Sequence, residues 1–252
     1  LVGIERIKMK ESRLGRKYGL IPSPESKVDF LARDIGFTLS GYPVSWDLRP
    51  TSPVRDQLDQ GACTGFGATA VLEYKWKTNR FIFSPADEYW NELDLEHSTG
   101  VDNGAMIKDG MRAFLKRGCC LEVDDSYTDL SYRTPPTATA VKDALAFKIN
   151  SYHRLHTWQE MCASIYAGFA VVWGGILFES FESDAVAKTG KVPMPRRGEE
   201  KLGGHCMAVF GYTPEHAIVK NSWNITWGDK GYCYIPKGYF TRSKVTDLWI
   251  IQ

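Results

Sequence analysis

Apolar residues along this chain follow two successive rules. Over residues 64–78, Phe66, Val71, Leu72 and Tyr74 fall on one helical face. Gly65 and Gly67 weaken the start of that helix by about 1 kcal/mol each relative to alanine, so something is expected to pack very close there. Ser84-Pro85 reads as the N-cap and first position of a second helix, with Tyr89, Trp90 and Leu93 facing inward. A third follows Asn103-Gly104, carries Met106, Ile107, Met111 and Phe114, and stops at Gly118. A polar linker over residues 128–139 is centred on Pro135-Pro136. Beyond it the period changes. Residues 147–155 alternate like a strand, Thr157 to Glu160 spells a capping box, and residues 169–178 form an apolar strand. Residues 208–212 and 217–220 read as a hairpin, and 232–235 as another strand. Helices followed by strands predict an α+β chain of two lobes with a cleft between them.

Residues 1–42 fit neither rule. The first 17 carry six basic and two acidic side chains, the usual sign of a solvated arm. Pro22 and Pro24 enforce extended chain, and residues 31–39 show no period. The segment is expected to lie over a folded body. Residues 1–6 hold charges where a signal peptide needs an apolar run, so no leader is expected in the sequence given, and no stretch approaches the roughly 18 apolar residues of a membrane span. A net charge of +1 gives no support for nucleic acid or an anionic membrane as partner.

The six cysteines are Cys63, Cys119, Cys120, Cys162, Cys206 and Cys233. No CxxC pair occurs, so no metal site is expected. Cys63 opens the first predicted helix, where the dipole and unpaired N–H groups favour a thiolate. A nucleophile there leaves five cysteines, which argues against full disulfide pairing and favours a reducing compartment. Of the histidines, His97, His153, His156 and His216 sit in structural or surface contexts, whereas His205 follows Gly203-Gly204 into a strand. The next strand ends at Asn221, and a hairpin sets Asn221 beside His205 to orient the ring.

Gln57 with Gly61-Ala62-Cys63, Gly203-Gly204-His205, Lys220-Asn221-Ser222-Trp223 and Trp227-Gly228-Asp229-Lys230-Gly231-Tyr232 resemble the papain-like cysteine peptidases. The resemblance is to the bacterial and viral, xylellain-like branch, and covers about residues 43–250. The Cys-to-His separation, roughly 140 residues, agrees with it. The resemblance implies a papain-like fold with a helical left lobe (about 57–130), a β-barrel-like right lobe (about 140–252), and residues 1–42 as extension or inhibitory pro-segment of a zymogen. It implies Cys63 as nucleophile, ion-paired with His205 before substrate binds. Asn221 would orient His205, Gln57 would donate to the oxyanion, and Gly104 and Gly204 would meet an extended peptide substrate. No cofactor is implied. Two departures stand out: Gln60 replaces a disulfide cysteine, and Thr64 replaces an aromatic residue. Asn224-Ile225-Thr226 spells a glycosylation sequon, read as chance because a glycan would crowd the site. A Cys–His amidase or isopeptidase on the same fold, or an inactive peptide-binding homologue, are the alternatives.

Overall fold

The computed structural model describes residues 12–26, 29, 36, 40–50, 52–76 and 81–252. Helix α1 (Cys63–Lys75) runs through the middle of the molecule, buried on all sides from Cys63 to Glu73. A Cβ on Gly65 would meet the Pro85 carbonyl at 2.7 Å, and one on Gly67 the Cys206 sulfur at 2.6 Å. The two glycines therefore let α1 touch its neighbours on opposite sides. One neighbour is α2 (Pro85–Leu95), started by Ser84, whose hydroxyl accepts from the Asp87 N–H with Pro85 in the first turn. The short strand β3 (Ala105–Met106) then leads into α3 (Ile107–Lys116), closed by Gly118 at φ +78°.

The other neighbour of α1 is an antiparallel sheet. Its strands in chain order are β2 (Trp46–Asp47), β4 (Tyr152–Arg154), β5 (Val171–Phe178), β6 (Lys201–Tyr212), β7 (His216–Lys220), β8 (Tyr232–Pro236) and β9 (Val245–Ile251). The pairing order is β4-β9-β5-β6-β7-β8, with β2 on β6. No pairing closes the ends into a barrel among the described residues. Strand β6 shows why these runs are continuously apolar. Cys206, Ala208 and Phe210 face α1 and α3, while Met207 and Val209 face a second core.

Several expectations change. The alternation over residues 147–155 yields only the three-residue β4, because Phe147 ends a 3₁₀ turn and packs edge-on among Trp76, Phe81 and Phe83. The linker over 128–139 holds a 3₁₀ turn at Ser131–Arg133, and α4 (Ala138–Ala144) begins within it, capped by Thr137. Helix α5 (Trp158–Tyr166) has the expected capping box. Strand β9 and helix α6 (Asp184–Thr189) were not anticipated.

The N-terminal basic run is not a free arm in its described part. Residues 12–26 run across the cleft, with β1 (Leu20–Ile21) parallel to β3. Arg13 pairs with Asp184, Arg16 with Asp56 and Lys17 with Asp102. Residues 31–35 and 37–39 lie outside the described residues. No helix among those described is long and apolar enough to cross a membrane.

Candidate active site

Cys63 is the first residue of α1, and its preceding residue, Ala62, supplies no side-chain cap. The first N–H groups of the helix therefore lack intrahelical acceptors at the sulfur's own position. His205 lies on β6 and Asn221 directly after β7, and the antiparallel register Ala208↔Lys220 brings them together. His205 Nε2 and Asn221 Oδ1 are 2.9 Å apart. The Ser222 N–H donates to the same oxygen at 2.8 Å. That second donor fixes the amide oxygen toward the ring, so Nε2 must carry a proton and donate. The neutral imidazole then keeps its lone pair on Nδ1, which has no hydrogen-bond partner among the described residues. Trp223 covers the pair, its ring 5.2 Å from that of His205.

Gln57 stands in front of Cys63. Its Nε2 donates to the Gln60 carbonyl at 2.9 Å and to the Lys17 carbonyl at 3.3 Å. Ser222 Oγ donates to Gln57 Oε1 at 2.7 Å, which fixes the direction of the amide. Gly104 and Gly204 both lie against the N-terminal segment. A Cβ on Gly104 would sit 2.0 Å from the Gly19 carbonyl oxygen, and one on Gly204 would sit 2.4 Å from that of Leu20. Gly19 pairs with Gly204 in a parallel bridge and accepts from the Ala105 N–H at 2.8 Å. Five of the six expected site residues thus meet one stretch of chain, residues 17–20, and Asn221 joins them through His205.

That stretch changes the electrostatics of the site. Cys63 and His205 are both 0 % exposed. Burial pushes the Cys63 thiol from 9.0 up to about 12, against backbone N–H groups of Cys206, Gly19 and Thr64 that favour the thiolate. Burial likewise pulls His205 from 6.5 down to about 4, although the bond to Asn221 favours the charged ring. The expected thiolate–imidazolium pair is therefore not the state of this structure. With the segment seated, both groups are neutral, because water is excluded from both.

Four residues that sequence reasoning missed complete the surroundings. Asp102 Oδ1 accepts from the Gly61 N–H and from Tyr89 Oη, both at 2.9 Å, and Tyr89 Oη accepts from the Gly104 N–H at 3.1 Å. Asp102 and Tyr89 thus join two glycines that both lie against the segment. Its position just before Asn103-Gly104 was the available signal for Asp102. Glu92 explains Thr64: the threonine hydroxyl donates to the Glu92 carboxylate, which is fully buried, as is Glu88 one turn earlier. A Cβ on Gly110 would meet an oxygen of each, at 2.5 and 2.7 Å. Gln60, in place of the disulfide cysteine, bonds the Thr128 carbonyl at 2.5 Å, and all six cysteines are free and buried.

Burial and the neighbouring Glu92 raise the Glu88 carboxyl well above the ordinary range. Its oxygens have no hydrogen-bond partner among the described residues. A raised native pKa stabilises the fold fully below the ordinary carboxylate range, and that contribution is lost as pH rises through the raised value. Glu88→Gln should therefore stabilise the chain at neutral pH by about 1–3 kcal/mol and flatten the loss as pH rises above the ordinary carboxylate range. Thermal melts of both chains from that range upward check it.

The comparisons with known proteins agree with this geometry. A family profile described as papain family cysteine protease matches residues 42–249. An uncharacterised peptidase C1-like protein of Acanthamoeba polyphaga mimivirus is 32 % identical, over 97 % of this chain and 89 % of its own. Cysteine proteinase 1 of Entamoeba histolytica is 28 % identical, over 72 % of this chain and 58 % of its own. Among solved structures, xylellain, a cysteine protease from Xylella fastidiosa, superposes with a TM-score of 0.86 at 27 % identity, covering 97 % of each chain. A profile spanning most of the chain, a relative aligned over nearly all of it, and the Cys–His–Asn geometry between two lobes lead to one assignment: the chain belongs to the papain family of cysteine proteases.

Proposed function

We propose that this chain is a cysteine endopeptidase whose residues 12–26 hold it inactive by occupying its own substrate cleft. One observation carries the reading: an extended stretch of main chain, Tyr18-Gly19-Leu20, lies across Cys63 between Gly104-Ala105 and Gly204. A cleft that takes backbone on both edges suits an internal stretch of polypeptide, as strand addition does. It suits a small amide less well.

In the proposed cycle the segment leaves, water returns, and Cys63 passes its proton to His205 Nδ1. The sulfur attacks the carbonyl carbon of the scissile bond. Negative charge on that oxygen is met by Gln57 Nε2 and the Cys63 N–H. His205 then returns the proton to the leaving amine, and the acyl-enzyme is hydrolysed by water activated at the same ring. Asn221 keeps Nε2 protonated throughout. The seated segment is not itself a substrate, on this reading, because it offers the sulfur the Gly19 N–H, a donor, in place of an electrophilic carbonyl carbon. The Gly19 carbonyl is turned to the Ala105 N–H.

Mass mapping after treatment with a peptidyl epoxide tests the assignment, in the chain whose segment is displaced by Gly19→Val. An adduct on Cys63 is expected, together with loss of cleavage of an internally quenched peptide library. Adducts confined to other cysteines, or cleavage that survives modification of Cys63, would overturn it.

A further inference from the structure

Glu182 is a buried acid on one wall of the cleft. It is 4 % exposed, at the end of the turn Glu179–Glu182, next in sequence to Phe181, which packs on Trp223 and Trp227. Among the described residues its hydrogen bonds go only to the N-terminal segment. Tyr18 Oη donates to Oε1, and the Arg13 N–H donates to Oε2 at 2.8 Å. The Tyr18 ring reaches Glu182 through a slot with two aromatic walls. Its centroid lies edge-on 5.8 Å from the His205 ring and 6.1 Å from Trp223. Tyr18 is 2 % exposed, so it fills that slot.

The side of the cleft follows from the chemistry. His205 hands its proton to the departing amine, so the residue carrying that amine lies against His205. The slot filled by Tyr18 is therefore on the leaving-group side of Cys63. Leu20 lies the other way, against Ile107 and Gly174. Beyond Glu182 a cavity of about 700 Å³, bordered by Ser183, Pro193 and Arg196, gives a longer leaving chain somewhere to go.

We infer that Glu182 is a specificity-determining residue, which selects substrates with tyrosine on the leaving-group side of the scissile bond. The segment satisfies this carboxylate while seated and strips it of its hydrogen bonds on leaving. A phenylalanine in the slot keeps it from water without replacing the donor, and a buried acceptor left unpaired is costly. A tyrosine restores the donor and keeps the two ring contacts. The carboxylate requires a donor, and the aromatic walls require a flat ring; tyrosine meets both.

The inference rests on the peptidase reading, and two assays on the full-length chain separate their failures. In the first, the segment is displaced by Gly19→Val, and two quenched peptides differing only in Tyr or Phe after the scissile bond are compared. The Tyr peptide should have the higher kcat/KM by roughly 10- to 100-fold. Glu182→Leu should bring the ratio near one, and Glu182→Gln, which keeps an acceptor, should leave an intermediate ratio. Equal rates in the parent, or a ratio that survives Glu182→Leu, would overturn the inference and leave the peptidase reading standing. Cleavage of no peptide at all would count against that reading. The second assay needs no turnover: alkylation of Cys63 in the otherwise unaltered chain carrying Tyr18→Phe, Glu182→Leu or both. Each single change should speed labelling about tenfold, and the double change no further. Independent, multiplying effects would mean that Tyr18 and Glu182 do not act as a pair, and would overturn the inference too.

Discussion

Gly19→Val should speed alkylation of Cys63 in the full-length chain by at least roughly a hundredfold, and should switch on peptide cleavage that Cys63→Ala removes again. A Cβ on Gly19 would lie 1.8 Å from the Gly61 carbonyl oxygen, and Gly61 cannot retreat easily because its N–H is held by Asp102. Beside Gly61 the Gly19 carbonyl sits against Gly104, which is itself tied to Tyr89, and on the opposite edge Gly19 pairs with Gly204. Main chain meets main chain on both sides, so no rotamer change can make room. Gly19 is not among the positive-φ glycines. The substitution therefore strains the seating and not the segment's own conformation. Overpacking costs typically 1–3 kcal/mol even where flexible side chains absorb it, and each 1.4 kcal/mol is a factor of ten. Opposing release are the pairs Arg16–Asp56 and Lys17–Asp102, and the buried Arg154, which holds the Ser23 carbonyl at 2.9 Å and the Asp29 carboxylate at 3.1 Å. Those anchors lie on both sides of Gly19 and set what release must overcome. An alkylation rate equal to the parent's would mean that the chain over Cys63 is not what protects it.

The same glycine shows what the sequence alone conveyed. The proposed nucleophile, base, orienting amide and oxyanion donor stood out in the sequence because each is a side chain whose chemistry demands its type. Gly65 and Gly67 announced close packing, and both meet neighbours under 3.0 Å. Gly19 announced nothing, because a lone glycine in a basic, proline-containing stretch is ordinary. Only the position of Gly61 makes it indispensable. Arg16 and Lys17 read as a solvated run because their partners, Asp56 and Asp102, are 40 and 85 residues away. Strand β9 escaped for a similar reason. Both its faces are covered, Leu248 and Ile250 by one core and Trp249 and Ile251 by the other, so it lacks the alternation that marks a half-exposed strand. The carboxylates Glu88 and Glu92 were least legible of all. A helix bearing Asp87, Glu88, Glu92 and Asp94 reads as solvated until the first three are found buried.

At neutral pH the parent chain should carry no thiolate at Cys63, and the Gly19→Val chain should carry one. Burial holds the seated thiol at about 12, so at pH 7 it stays protonated. His205, drawn down to about 4, has no charge to lend it. A raised cysteine pKa means the proton stays on as pH rises past the ordinary value of 9 and leaves only toward 12. A lowered histidine pKa means the ring stays neutral until pH falls toward 4. Opening the cleft returns water to both groups beside the start of α1 and lets Nδ1 take the sulfur's proton. The thiolate's ultraviolet absorbance reads this directly, with Cys63→Ala in each background as the blank. The other cysteines should not interfere: burial pushes Cys162 up to about 12 and raises Cys119, Cys120, Cys206 and Cys233 as well. Turnover by the opened chain should then be bell-shaped in pH, lost in acid as the thiolate protonates and in alkali as His205 loses its proton. The parent's thiolate signal should instead climb only above pH 9. A full thiolate equivalent in the parent at pH 7 would mean that the segment blocks the site by sterics alone. Its absence from a fast-labelling Gly19→Val chain would mean that Cys63 acts as a thiol deprotonated during attack.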